Sequence, residues 1–156
     1  MNNLENKYIL SEELIDAIDR ILEKVPHVVF GGSIALNAVG LISRKINDVD
    51  IFLPMNENFK QFISIGALDE MTSDTVTDMN GKEIQRVGAK INDVKVCCFK
   101  VGDEELEHSN FTFFNRKIKI QNVNYAIIAK KTYSKKNKKH RDDLDEIYNS
   151  LHDLPF

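Results

Sequence analysis

The stretch "VVFGGSIALNAVGLISRKINDVDIFLP", residues 28–54, decides how this chain is to be read. His27 to Phe30 are short, β-branched and aromatic, which predicts a buried strand stopping at Gly31-Gly32. Ser33 to Leu41 then read as a helix with Ala35, Leu36, Val39 and Ile42 turned inward. Asp48 to Leu53 form a second strand, closed by Pro54. A strand that runs through Gly-Gly-Ser into a helix presents backbone N–H groups that lack intrahelical partners, and the missing side chains let a ligand approach the backbone. Gly31, Gly32 and Ser33 are therefore candidates for holding phosphate, although two glycines by themselves also suit a plain tight turn. Asp48 and Asp50 stand two residues apart on a strand and project from one face. Two like charges among Val49, Ile51 and Phe52 require a cation or a basic partner, and hard carboxylate oxygens suit Mg2+ or Mn2+. The plainer alternative is a strand end at which both carboxylates reach water.

Outward from this stretch, the chain reads as one α/β domain over residues 1–156, long enough to bury a core. Ser11 is a candidate cap for a helix carrying Glu12 and Glu13 in its first turn and Leu14, Ile15, Ile18, Ile21 and Leu22 on its apolar face, ended by Pro26. Glu57 to Leu68 offer a helix with Phe59, Phe62 and Ile63 as its apolar side. "DEMTSDTVTDMNGKE", residues 69–83, is polar and turn-rich. "EIQRVGAKI" and "VKVCCFKV" read as a hairpin through Asn92-Asp93, and "RKIKIQN" alternates like a half-exposed strand. Helices over Val123 to Tyr133 and Lys138 to Leu151 finish the chain, with "YSKKNK" between them.

No apolar run is long enough to span a bilayer, and the polar start MNNLENKY lacks the apolar core of a signal peptide, so a cytoplasmic location is expected and no membrane partner. Cys97 and Cys98 are adjacent, which disfavours an ordinary disulfide between them, and no CxxC spacing suggests zinc. The net charge of −3 hides a basic segment, Lys130, Lys131, Lys135, Lys136, Lys138, Lys139 and Arg141. Such a run is commonly a solvated face; it also suits RNA, another polyanion or a protein partner. No RRM or KH signature is present.

"GGSIAL" followed by "RKINDVDI" resembles the nucleotidyltransferase fold of the DNA polymerase β superfamily, in particular its small bacterial and phage members of AbiEii-like toxin or minimal nucleotidyltransferase type, which implies a toxin–antitoxin or phage setting. The likeness covers residues 28 to 54. It extends to "IIAKKTYSKKNKKHRDDL", where Lys130 matches a contact to the triphosphate and Lys139, His140 and Asp143 fall on the following motif. The resemblance implies a small mixed sheet flanked by helices, with Asp48 and Asp50 as catalytic metal ligands for Mg2+ or Mn2+. It also implies nucleotide binding by Gly31, Gly32, Ser33, Arg44, Lys130 and Lys139, and transfer of NMP from an NTP to a hydroxyl on RNA, protein or a small molecule. The resemblance further implies a third acid on a strand after the hairpin, the three carboxylates together holding two divalent cations, and the best counterpart places Cys97 there. A thiol is a poor Mg2+ ligand. Asp93 or Asp103 is then the alternative third acid, or two aspartates suffice for one metal. The competing reading is a degenerate binding module, antitoxin-like or a phage counter-defence protein, that recognises a nucleotide, RNA or partner protein without turnover.

Overall fold

The computed structural model describes residues 12–42, 45–66, 68–78, 80–133 and 138–152. Its centre is a seven-stranded mixed sheet in the order β3-β4-β5-β2-β1-β7-β6. The strands are β1 (Val29–Gly31), β2 (Asp48–Pro54), β3 (Asp69–Thr77), β4 (Glu83–Ile91), β5 (Val94–Val101), β6 (His108–Phe113) and β7 (Arg116–Gln121). The helices are α1 (Glu12–Lys24), α2 (Gly32–Ala38), the single turn α3 (Lys60–Ile63), α4 (Val123–Tyr133) and α5 (Lys138–His152), with a 3-10 turn at Asp103–Leu106. The middle of the sheet mixes directions, with β2 antiparallel to β1 but parallel to β5, and β1 parallel to β7.

The period of two in each strand sorts its side chains between two unlike faces. Val49, Ile51 and Leu53 of β2, Val96 and Cys98 of β5 and Val87, Ala89 and Ile91 of β4 point one way, into a core completed by Leu14, Ala17, Ile18 and Ile21 of α1 and by Phe62. Asp48, Asp50 and Phe52 point the other way and stay half-buried. A second, smaller cluster of Leu36, Ile42, Ala126 and Ile147 joins α2 to α4 and α5. That cluster brings the C-terminal helices beside the start of β2.

Several expectations are met. The hairpin turn at Asn92-Asp93 has both residues at positive φ, 53° and 65°, the conformation a two-residue turn between right-twisted strands needs. The strands around Gly31 and Asp48, β7, α1 and the two C-terminal helices lie where the sequence puts them. Three expectations are corrected. Residues 69–77 are not a turn but a nine-residue strand, exposed along almost its whole length and paired antiparallel with β4. The helix expected over Glu57 to Leu68 shrinks to Lys60–Ile63; Phe62 is buried, but Ile63 faces solvent. Helix α2 ends at Ala38, so Val39 is exposed rather than inward, while Ile42 is buried as expected. Ser11 and Arg44 lie outside the described residues, as do Lys135 and Lys136.

Candidate functional site

The register of the sheet assembles the candidate site. Gly31 of β1 sits opposite Asp50 of β2, and Asp50 sits opposite Cys97 of β5, which in turn faces Gly88 of β4. One row earlier, Asp48 is paired with Lys95, and Lys95 with Lys90. Residues directly opposite one another share a sheet face, so Asp48, Asp50, Lys95, Cys97 and Gly88 form one surface away from the α1 core.

Strand β1 passes directly into α2 at the two glycines. Gly31 caps α2 with extended backbone, φ −122° and ψ −158°, and no side-chain hydrogen bond caps that helix. Gly32 adopts φ +54°, the left-handed region that an L side chain enters only with strain. A Cβ at Gly32 would run into Asp50 Oδ2, with Asp50 Cγ only 3.3 Å away. A Cβ at Gly31 would strike the Phe52 ring and approach Gln121 Oε1 at 2.9 Å. The glycines are thus required by the closeness of Asp50 and Phe52 to the backbone. The nearby Ser33 is buried.

Helices α4 and α5 bring cations to the aspartates. Lys139 Nζ lies 2.8 Å from Asp48 Oδ2, with both side chains partly exposed. Lys130 is 5% exposed and pairs at 2.7 Å with Asp143 Oδ2, itself 1% exposed. Lys130 Nζ also lies 3.2 Å from His140 Nδ1. Burial pushes the Asp50 carboxyl above the usual aspartate range and the charge of Asp48 adds to that, against the pull of Lys130, Lys139 and Lys95. Three lysines from three other elements, and Asp48 from the same strand, therefore act on one carboxylate.

The third carboxylate is not found among the described residues. Burial, with the charge of Asp50 second, pushes the Cys97 thiol up to about 11, so it stays protonated at neutral pH and offers a hard cation neither charge nor hard oxygen. Asp93 sits in the turn that precedes β5, and Asp103 lies beyond the far end of that strand. Among the described residues no group of three or more His, Cys, Asp or Glu side chains is arranged to hold a metal ion. Asp48 and Asp50 nevertheless fit a single Mg2+ or Mn2+, since Mg2+ is commonly bound by one or two carboxylates together with waters and substrate phosphates.

Of the residues singled out from sequence, the structure brings together Gly31, Gly32, Ser33, Asp48, Asp50, Cys97, Lys130 and Lys139. Sequence reading missed Lys95, although its two-residue spacing from Cys97 already put it on the same face. It also missed the aromatic row beside the aspartates, where Phe52 and Phe99 stack with centroids 5.5 Å apart. Arg86 stands opposite Phe99 and is held by Asp74 through a two-pronged ion pair. Asp143, which the resemblance put on the motif that follows Lys130, is the ion-pair partner of Lys130, a role that sequence reading missed because the two are thirteen residues apart on different helices.

No family model matches the sequence, and no curated protein matches it significantly. Among solved structures, the chain resembles the crystal structure of a Thermotoga maritima protein provisionally described as a nucleotidyltransferase. The TM-score is 0.60 at 12% identity, and the alignment covers 96% of this chain and 99% of that one. At this identity the likeness concerns the fold alone. The chain has a nucleotidyltransferase fold.

Proposed function

We propose that the protein is a metal-dependent nucleotidyltransferase that moves a nucleoside monophosphate from an NTP to a hydroxyl acceptor on RNA, protein or a small molecule. One observation carries this reading: Asp48 and Asp50 share a sheet face against the Gly31-Gly32 turn, with Lys139 and Lys130 delivered to them from the C-terminal helices. Asp48 and Asp50 hold the divalent cation, Mg2+ or Mn2+. That ion would supply charge neutralisation for the triphosphate and polarise its α-phosphate. The backbone N–H groups of Gly32 and Ser33, at the start of α2 where no side chain caps the helix, take the β- and γ-phosphates. Lys139, Lys130 and Lys95 add positive charge in a partly dry setting, where it counts for more than in water. The acceptor oxygen forms a bond to the α-phosphorus while the bond from that phosphorus to the bridging oxygen breaks. Pyrophosphate leaves with the bridging oxygen, and the hydroxyl proton passes to solvent. Lys131, Lys138 and Arg141, all exposed, extend the positive surface toward an RNA or protein acceptor.

Incubation with each α-labelled NTP, Mg2+ or Mn2+ and a cell extract tests the proposal. Label should appear on a macromolecule or metabolite and fall by about 100-fold or more in Asp48→Asn and Asp50→Asn. Label transfer undiminished in both variants would sink it. Growth arrest on expression, relieved by the same substitutions, would place the activity with the AbiEii-like toxins.

Cys97 in register with Asp50 favours a second reading, a nucleotide-binding module of the same fold without turnover. Calorimetry separates the two: metal-dependent NTP binding with no label transfer under any condition supports the module.

A further inference from the structure

Within the nucleotidyltransferase reading, on which this inference rests, we propose that the site takes one divalent cation, with the Lys139 ammonium serving in place of a second. Three observations converge on this. Asp48 Oδ2, a carboxylate oxygen that would otherwise face a cation, already has Lys139 Nζ at 2.8 Å. Across β5, the position facing Asp50 is the sulfur of Cys97, and its neighbours on that face, Lys95 and Gly88, supply no oxygen ligand from a side chain. Among the described residues no third carboxylate joins the pair.

Charge arithmetic explains why this combination suffices. Three carboxylates with two divalent cations carry one net positive charge toward a triphosphate. Two carboxylates with one divalent cation and one ammonium carry the same single positive charge. The loss of the third acid and the gain of the lysine each add one positive charge, and together they offset the two charges of the missing divalent cation, whereas either change alone would leave the pocket one charge out of balance. Lys139 is well placed for this role because it comes from α5, which is anchored by the buried Lys130–Asp143 pair one helical turn away and by Ile147 in the small helical core. Its position is thus set by packing rather than by the aspartate alone.

Equilibrium dialysis of Mn2+ tests the inference, with each of the four α,β-methylene NTPs present in turn at equal concentration on both sides. The wild-type chain should retain one Mn2+ per chain, and the Cys97→Asp/Lys139→Ala double variant should retain two. Two Mn2+ in the wild type would overturn the inference and leave the nucleotidyltransferase reading standing. No Mn2+ with any of the four analogues would overturn both. A double variant that is folded by circular dichroism and still holds a single ion would overturn the roles given to Lys139 and Cys97. The wild-type count decides the stoichiometry even where the double variant does not fold.

Discussion

Replacing Gly32 by alanine perturbs the site through two separable effects, and the structure gives each a size. The first is conformational: at φ +54° an alanine pays the left-handed penalty of about 1–2 kcal/mol. The second is steric, because the new methyl group would overlap Asp50 Oδ2, and ordinary contact requires the carboxylate to swing away by on the order of 1 Å. Forcing a side chain aside in a packed region typically costs ~1–3 kcal/mol, so Gly32→Ala should lose roughly 2–5 kcal/mol in denaturant unfolding. Gly40 supplies the control, with φ +81° and nothing within 4 Å of a would-be Cβ. Gly40→Ala should show the conformational cost alone, about 1–2 kcal/mol. In an Asp50→Ala background the oxygen is gone and only the Asp50 Cβ remains, 3.5 Å from the would-be Cβ, an ordinary contact. There Gly32→Ala should fall back to the Gly40→Ala value, giving a coupling of roughly 1–3 kcal/mol between positions 32 and 50. The same displacement of Asp50 should weaken Mn2+ and NTP binding on the order of 100-fold in the folded single variant. Additive behaviour of the two substitutions would refute the placement of the carboxylate over Gly32.

Other perturbations probe the buried charges. Asp50 has its folded pKa raised above the unfolded value by burial, so the folded state holds the proton more tightly and stability declines as pH rises through the interval between the two. Unfolding curves of metal-free protein from acid to neutral pH should show this decline, and Asp50→Asn should abolish it; an identical pH profile would contradict the assignment. Lys130→Met leaves Asp143 charged and buried without its 2.7 Å partner, and should cost about 3–5 kcal/mol, whereas Lys130→Met/Asp143→Leu should recover most of that loss. A double variant as unstable as the single one would mean the pair is held by more than mutual neutralisation. Burial pushes the Cys97 thiol up to about 11 and raises Cys98 further, so neither should react with a disulfide reagent at pH 8 until the chain unfolds. Rapid labelling of a native thiol would show that the face beside Asp50 is more open than described.

The sequence disclosed elements that bury one face and concealed those that do not. β2 and β4 alternate because one side meets α1, and that alternation survives in the order of residues. β3 lies at the sheet edge with eight of its nine residues exposed, so no burial pattern shaped it; its order comes from main-chain pairing with β4, which leaves no trace in composition. β6, at the opposite edge, escaped notice for the same reason. The single turn α3 shows the converse failure: Phe59, Phe62 and Ile63 have helical spacing, yet only Phe62 is fully buried, too little to sustain three turns.

The same reasoning explains why the site was half visible. Gly31, Gly32, Asp48 and Asp50 are close in sequence because one strand-helix-strand unit carries them, and each residue type is demanded by its neighbour: the glycines by the carboxylate and ring above them, the aspartates by the cations beside them. By composition the cations were visible only as a run of lysines, from which the resemblance singled out Lys130 and Lys139; composition does not distinguish Lys130, sunk against Asp143, from Lys138, which is exposed and pairs within its own helix with Asp142. Register across the sheet separates these roles, and register is a long-range property. It places Cys97 rather than a carboxylate opposite Asp50, and packing of α5 places Lys139 against Asp48. Neither fact alone says how many cations the site accommodates. Together they offset one divalent cation, so a one-cation chain with only one of the two changes falls one positive charge short toward a triphosphate and should bind its NTP less well than a chain with both.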